Sequence, residues 1–219
     1  MIIVIGSPSV ALGEPGQPSR AAGRSVDVAR GAIDGGARVE LVGKVGDDPA
    51  GDDLMLALAD LGIGHAAVLR DHARPTPFVP IIASGDIDEV LGEDAAMVPP
   101  AEPGAARPTV DAGDLDLALR YLTDHAVVVV AEPLDADALA VLRADAGYAD
   151  AHLVLIIEPG SPLDRLSDGL TVLEAPDADP DGVFGRTVGR FAAALDQGRP
   201  GAEALEQATA GAGWQVSAG

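Results

Sequence analysis

The residues of this chain that could do chemistry are mostly carboxylates, and their tightest group is Asp47, Asp48, Asp52 and Asp53. Four oxygen donors within seven positions suit a hard divalent cation. The same placement also suits a helix start, where aspartate caps the first N–H groups and opposes the helix dipole. The capping reading is preferred, because Pro49 follows Asp48 at the first helical position. The four histidines, His65, His72, His125 and His152, have no metal-ligand spacing and are expected at the surface or at strand ends. There is no cysteine, so thiolate catalysis, disulfides and Cys-bound zinc are excluded. No Gly-x-Ser-x-Gly elbow or Walker-type phosphate loop is present, and Lys44, the single lysine, sits in a Gly-Lys-Val-Gly strand end. Gly211-Ala212-Gly213 imitates an anion-binding turn, but it reads as a plain helix terminus close to Gly219.

These residues must be positioned by alternating elements. Met1–Ile5 and Val39–Val42 are buried-strand patterns, each ending at a glycine. A helix between them carries Val26, Ala29 and Ile33 on one face, with Ser25 as its expected cap and Gly35-Gly36 as its end. The next helix starts at Asp48, carries Leu54, Leu58 and Leu61, and stops before Gly62. Residues 66–70 and 78–83 read as strands joined by the proline-rich turn Arg74-Pro75-Thr76-Pro77, and 97–108 as a loop. Then follow a helix over 114–124, a strand over 127–130, a helix over 135–144, and strands over 153–157 and 170–173. Phe184, Val188, Phe191 and Leu195 mark one closing helix, and Pro200 opens the last. Such alternation predicts one α/β domain over residues 1–219, with a mostly parallel sheet between helical layers.

Thirty-five acidic residues against 14 basic ones give a formal charge of -21, which disfavours nucleic acid and anionic lipid as partners. The apolar start is too short and uncharged for a signal peptide, and no run reaches bilayer length, so a cytoplasmic protein is expected.

The ordered run from Gly23 to Ala29, then Gly36 to Asp52, then Leu58 to Gly62 resembles the N-terminal signature of the ribokinase-type (PfkB) carbohydrate kinases. The resemblance implies a three-layer ribokinase-like fold, ATP-dependent phosphoryl transfer to a sugar or nucleoside alcohol, and substrate contacts at Gly23, Asp27 and Gly46. Several positions depart from that pattern. Ser9 and Ala11 stand where the family places its Asn and sugar-binding Asp, and Asp27 replaces a sugar-binding Asn. Only about a dozen residues separate Ala11 from Gly23, so the lid is expected to be reduced or absent. Glu132 lies one position from a sugar-contacting Glu of the family and is read as a solvated strand-end charge.

The family's Asp-Thr-x-Gly-Ala-Gly-Asp anion hole aligns with residues 179–185, which puts Gly185 at the catalytic base and Val183 and Phe184 at the hole. Asp181 is then the nearest substitute base. The expectation is a degenerate kinase-like protein, without cofactor, that binds a small sugar-like ligand or a protein partner. An active kinase using Mg-ATP through a rearranged site is the alternative. A dinucleotide-dependent oxidoreductase is disfavoured, since no Gly-x-Gly-x-x-Gly follows the first strand.

Overall fold

A computed structural model describes residues 1–11, 19–79, 107–161 and 170–210. Six parallel strands form the central sheet: β1 (Ile2–Ile5), β4 (Val39–Gly46), β5 (Gly64–Asp71), β7 (Val127–Val130), β8 (His152–Ile157) and β9 (Thr171–Glu174), in the order β5-β4-β1-β7-β8-β9. β1 is buried along its whole length. Ile2 and Val4 point into one core, and Ile3 and Ile5 into the other. This double burial is why the strand is continuously apolar rather than alternating.

On the first face lie helices α1 (Arg24–Asp34), α2 (Pro49–Asp60), α5 (Val183–Asp196) and α6 (Gly201–Thr209). α3 (Ala112–Leu119) and α4 (Ala136–Ala149) cover the other face. The expected three-layer α/β architecture is therefore present. Local signals set most boundaries: the Asp48 side chain accepts from the Gly51 N–H at 2.8 Å, and Asp135 does the same for Ala138 at 2.7 Å.

Four expectations are corrected. Ser25 does not cap α1: the chain enters through Gly23 at φ 101°, so the helix starts earlier and Ser25 lies inside it. Residues 9–11 and 20–22, where no strand is expected, form a second, small sheet, in which β2 (Ser9–Ala11) pairs with β3 (Arg20–Ala22) and with β6 (Phe78–Val79). The strand expected over 78–83 thus joins this small sheet, while its residues 80–83, like the loop at 97–106 and Gly211-Ala212-Gly213, lie outside the described residues. Finally, His125 is buried: its Nδ1 faces the Leu122 carbonyl at 2.8 Å and its Nε2 lies 2.9 Å from Asp145, out of hydrogen-bond alignment. It sits in the turn where α3 returns to β7, a site the sequence presents as loop.

No helix among the described residues is long and apolar enough to cross a membrane.

Candidate functional site

From β1 the chain travels outward to β4 and β5, and from β7 outward the opposite way to β8 and β9. In such doubly wound sheets the crevice opens at the carboxyl ends of the two central strands, where the connections diverge. Gly6 follows β1 there, and Ala131 and Glu132 follow β7. A cavity of about 420 Å³ occupies this place, walled by Gly6, Ser7, Ser9, Val79, Glu132 and Glu158 and by the α1 entry Gly23-Arg24-Ser25. Gly6 allows the walls to close: a Cβ on it would lie 3.0 Å from that of Ser25 and 3.6 Å from Glu132 Cγ.

Glu132 is not the solvated strand-end charge the sequence suggested. Burial raises its pKa, against hydrogen bonds from the Ser7 N–H and hydroxyl and the charge of Arg107. Its Oε1 is buried without a hydrogen-bond partner among the described residues, and so is the Ser25 hydroxyl. Arg24 and Glu158 close one side of the cavity through an ion pair of 2.7 Å.

The three expected substrate-contact residues are not brought together. Gly23 lines the cavity. Asp27, one turn further along α1, faces the start of α5, where its Oδ1 lies 3.6 Å from Arg186. Burial pushes its pKa up, Arg186 and Arg30 oppose that, and the charge of Asp179 adds to it. Gly46 lies at the far end of β4, where its N–H donates to Thr76 Oγ1 at 3.0 Å and its carbonyl accepts from Arg70 at 3.1 Å. A Cβ there would lie 2.4 Å from Asp48 Oδ2 and from the Thr76 nitrogen, so Gly46 serves close packing.

At the start of α5, Gly182 takes the left-handed conformation at φ 64° and supplies no side-chain cap. Asp179 reaches forward instead. Its Oδ1 accepts from the Phe184 N–H and its Oδ2 from the Gly185 N–H, each at 3.1 Å. The donors that an incoming anion would need are engaged by an internal carboxylate. Gly185 is also closed to a side chain, because a Cβ on it would lie 2.7 Å from that of Asp27. Asp181 is exposed, and its carbonyl accepts from Arg186 at 2.6 Å. The acidic group at 47–53 is explained by capping and by the Arg70–Asp52 pair, and no cluster of three metal-ligating side chains occurs among the described residues.

Comparison with known proteins agrees with this architecture. Residues 14–102 match the pfkB family carbohydrate kinase model. The chain is similar in structure to ribokinase from Giardia lamblia, at 14% identity and a TM-score of 0.64, over 97% of this chain and 92% of that one. Arabidopsis thaliana ribokinase, solved with ribose and ATP, gives 15% identity and a TM-score of 0.61 over 96% and 90%. Cryptococcus neoformans ribokinase, solved with ADP, gives 17% and 0.56 over 97% and 92%. No curated protein matches. The chain therefore has a ribokinase-like fold, and the pfkB pattern is matched over residues 14–102.

Proposed function

We propose that this is a shortened pfkB-family protein in which phosphoryl transfer is lost and a small-ligand pocket beside Gly6 and Gly23 is kept. The observation that carries this reading is the Asp179 carboxylate on the Phe184 and Gly185 N–H groups. Phosphoryl transfer depends on positioning and on stabilising charge. Here the candidate anion hole already holds a negative group, Val183 and Phe184 add bulk, and position 185 has neither a base nor room for one. A triphosphate placed there would meet Asp179 and Asp27 as like charges. The pocket then serves binding, of a small sugar-like molecule or in support of a protein partner, in a cytoplasmic setting.

Isothermal titration of the purified chain with Mg-ATP, with sugars and nucleosides in parallel, tests this directly. Silence toward ATP together with no ADP release is the expected result. Micromolar ATP binding with ADP release sinks it.

One observation favours the second reading, an active kinase with a rearranged site. The Asp27 carboxyl group fills the place a side chain at Gly182 would take, where a Cβ would lie 2.5 Å from it, and the Asp27 Cβ does the same at Gly185, at 2.7 Å. If turnover is found, Asp27, rather than Asp181, is the carboxylate to test as base, and Asp27→Asn should abolish it while Asp181→Asn leaves it intact.

A further inference from the structure

We infer that the outer edge of β5 and the apolar groove beside it form a self-association surface, on which a second copy of this chain docks about a two-fold axis. The inference is independent of the pocket and of whether phosphoryl transfer survives.

β5 ends the strand order of the central sheet among the described residues, so one side of its backbone has no strand to bond there. Such edges are commonly blunted by proline, lysine or shortness. β5 is eight residues long and carries neither proline nor lysine, and past a register shift before Ala67 it pairs regularly with β4 as far as Asp71. Its two faces are covered unequally. On the first face Val68 is buried in the core that α2 closes. On the second face Ala67 reaches the core, but Leu69 and the exposed Ala66 border a groove of about 460 Å³, completed by Leu117 on α3 and by Tyr121 and Leu122 just after it. No residue lining the groove is charged. Leu117 is 48% exposed and Tyr121 80%, and large apolar side chains gathered beside an unpaired edge mark an interaction face.

Charge decides which partner fits. A formal charge of -21 should hold two copies apart. Around this groove, however, cations are held one to one by aspartates: Lys44 by Asp114, Arg120 by Asp116, Arg70 by Asp52 and Arg38 by Asp124. Such a locally balanced rim offers a strongly basic or acidic partner nothing to hold, and it lets a second acidic copy approach. A two-fold contact is self-complementary, so the copy brings its own Leu117 and Tyr121 to the groove and its own β5 to the unpaired edge.

Sedimentation equilibrium of the full chain, with hydrogen exchange over the same concentrations, tests the inference. A dimer at micromolar concentration is expected, and the β5 amides should exchange more slowly as the dimer fills. Tyr121→Glu should raise the dimer dissociation constant at least about thirtyfold, the size of a lost aromatic anchor. Because Tyr121 is exposed, that variant should keep the melting temperature of the dilute, monomeric parent. Tyr148→Glu, at a side chain 94% exposed on α4, should leave the dimer intact. A chain that stays monomeric to about 100 μM overturns the inference, and so does a dimer that Tyr148→Glu weakens as much as Tyr121→Glu. β5 amides protected equally at every concentration also overturn it, since the chain's own residues would then cover the edge.

Discussion

The end of β4 and the start of α5 are both places where glycines and aspartates meet a helix N-terminus, and they are built in opposite ways. At the first, Asp48 accepts from Gly51, from the Thr76 N–H at 2.8 Å and from the Thr76 hydroxyl at 2.7 Å, while Thr76 in turn accepts from Gly46. One carboxylate ties the helix to the proline-rich turn, and Thr76 extends the tie to the end of β4, within the span that matches the family. At the second, the carboxylate is borrowed from an upstream loop, and the helix is pressed so closely on α1 that side chains are excluded. The contrast teaches that a capping carboxylate can tie a helix start to its neighbours at one place and leave a helix start to close glycine packing at another.

The largest expected effect lies in that packing. α1 and α5 meet along glycines spaced four apart, Gly31 and the C-cap Gly35 on one side and Gly185 and Gly189 on the other. A Cβ on Gly189 would lie 2.0 Å from the Val28 carbonyl oxygen and 2.6 Å from the Ala32 nitrogen. Backbone cannot yield as a flexible side chain does, so Gly189→Ala should destabilise by on the order of 3 kcal/mol or prevent folding, since overpacking in a tight core is costly. Gly147→Ala in α4 is the control. Nothing stands within 4 Å of a Cβ there, and the exchange should stabilise by about 0.5–1 kcal/mol in a thermal melt. Equal effects at the two positions would break the claim that the α1–α5 seam is special.

At the β4 end the expected effect is smaller and depends on pH. Burial opposes ionisation of Asp48, but its bonds from Thr76 and Gly51 and the nearby Arg70 hold its pKa below the ordinary aspartate value. A carboxyl with a depressed folded pKa contributes stability above its unfolded pKa and loses it as pH falls through the folded one. Asp48→Ala should therefore lower stability by about 2 kcal/mol at neutral pH, as expected for a lost cap with further hydrogen bonds. The gap to the parent chain should close as acid protonates Asp48 in the parent. Chemical denaturation at a series of pH values reads both features.

Much of this contrast was legible in the sequence, and the rest was hidden for physical reasons. Asp48-Pro49 announces its helix because capping is local, and Val127–Val130 was found at its observed limits because a doubly buried strand is continuously apolar. The small sheet was missed because its strands are two or three residues long and carry no period. The capping role of Asp179 is not legible in the sequence. Its reach of five and six residues to Phe184 and Gly185 requires the left-handed turn at Gly182, which no spacing rule displays. The orphaned hydroxyl of Ser25 and the buried Glu132 depend on three elements meeting at the sheet's carboxyl edge. The fourfold glycine spacing on α1 and α5 was visible in principle, but its meaning appears only when the two helices cross.

The smallest expected effect lies on the seam itself, at Asp27. Burial raises its pKa, Arg186 and Arg30 lower it, and Asp179 raises it, with the net direction upward. A raised folded pKa means that the fold favours the protonated form. The penalty is absent below the unfolded pKa, grows as pH rises, and is complete above the folded one. Asp27→Asn preserves shape and removes that charge, so it should raise the neutral-pH melting temperature by roughly 1–2 °C, as about 0.5 kcal/mol does for a chain of this size. Near pH 3 the advantage should shrink, since Asp27 is by then protonated in the folded parent chain. A lower melting temperature for Asp27→Asn at neutral pH would show that the Arg186 ion pair outweighs burial. The α1–α5 contact would then be held by charge as well as by glycine packing, much as Arg70 pairs with Asp52 beside the end of β4.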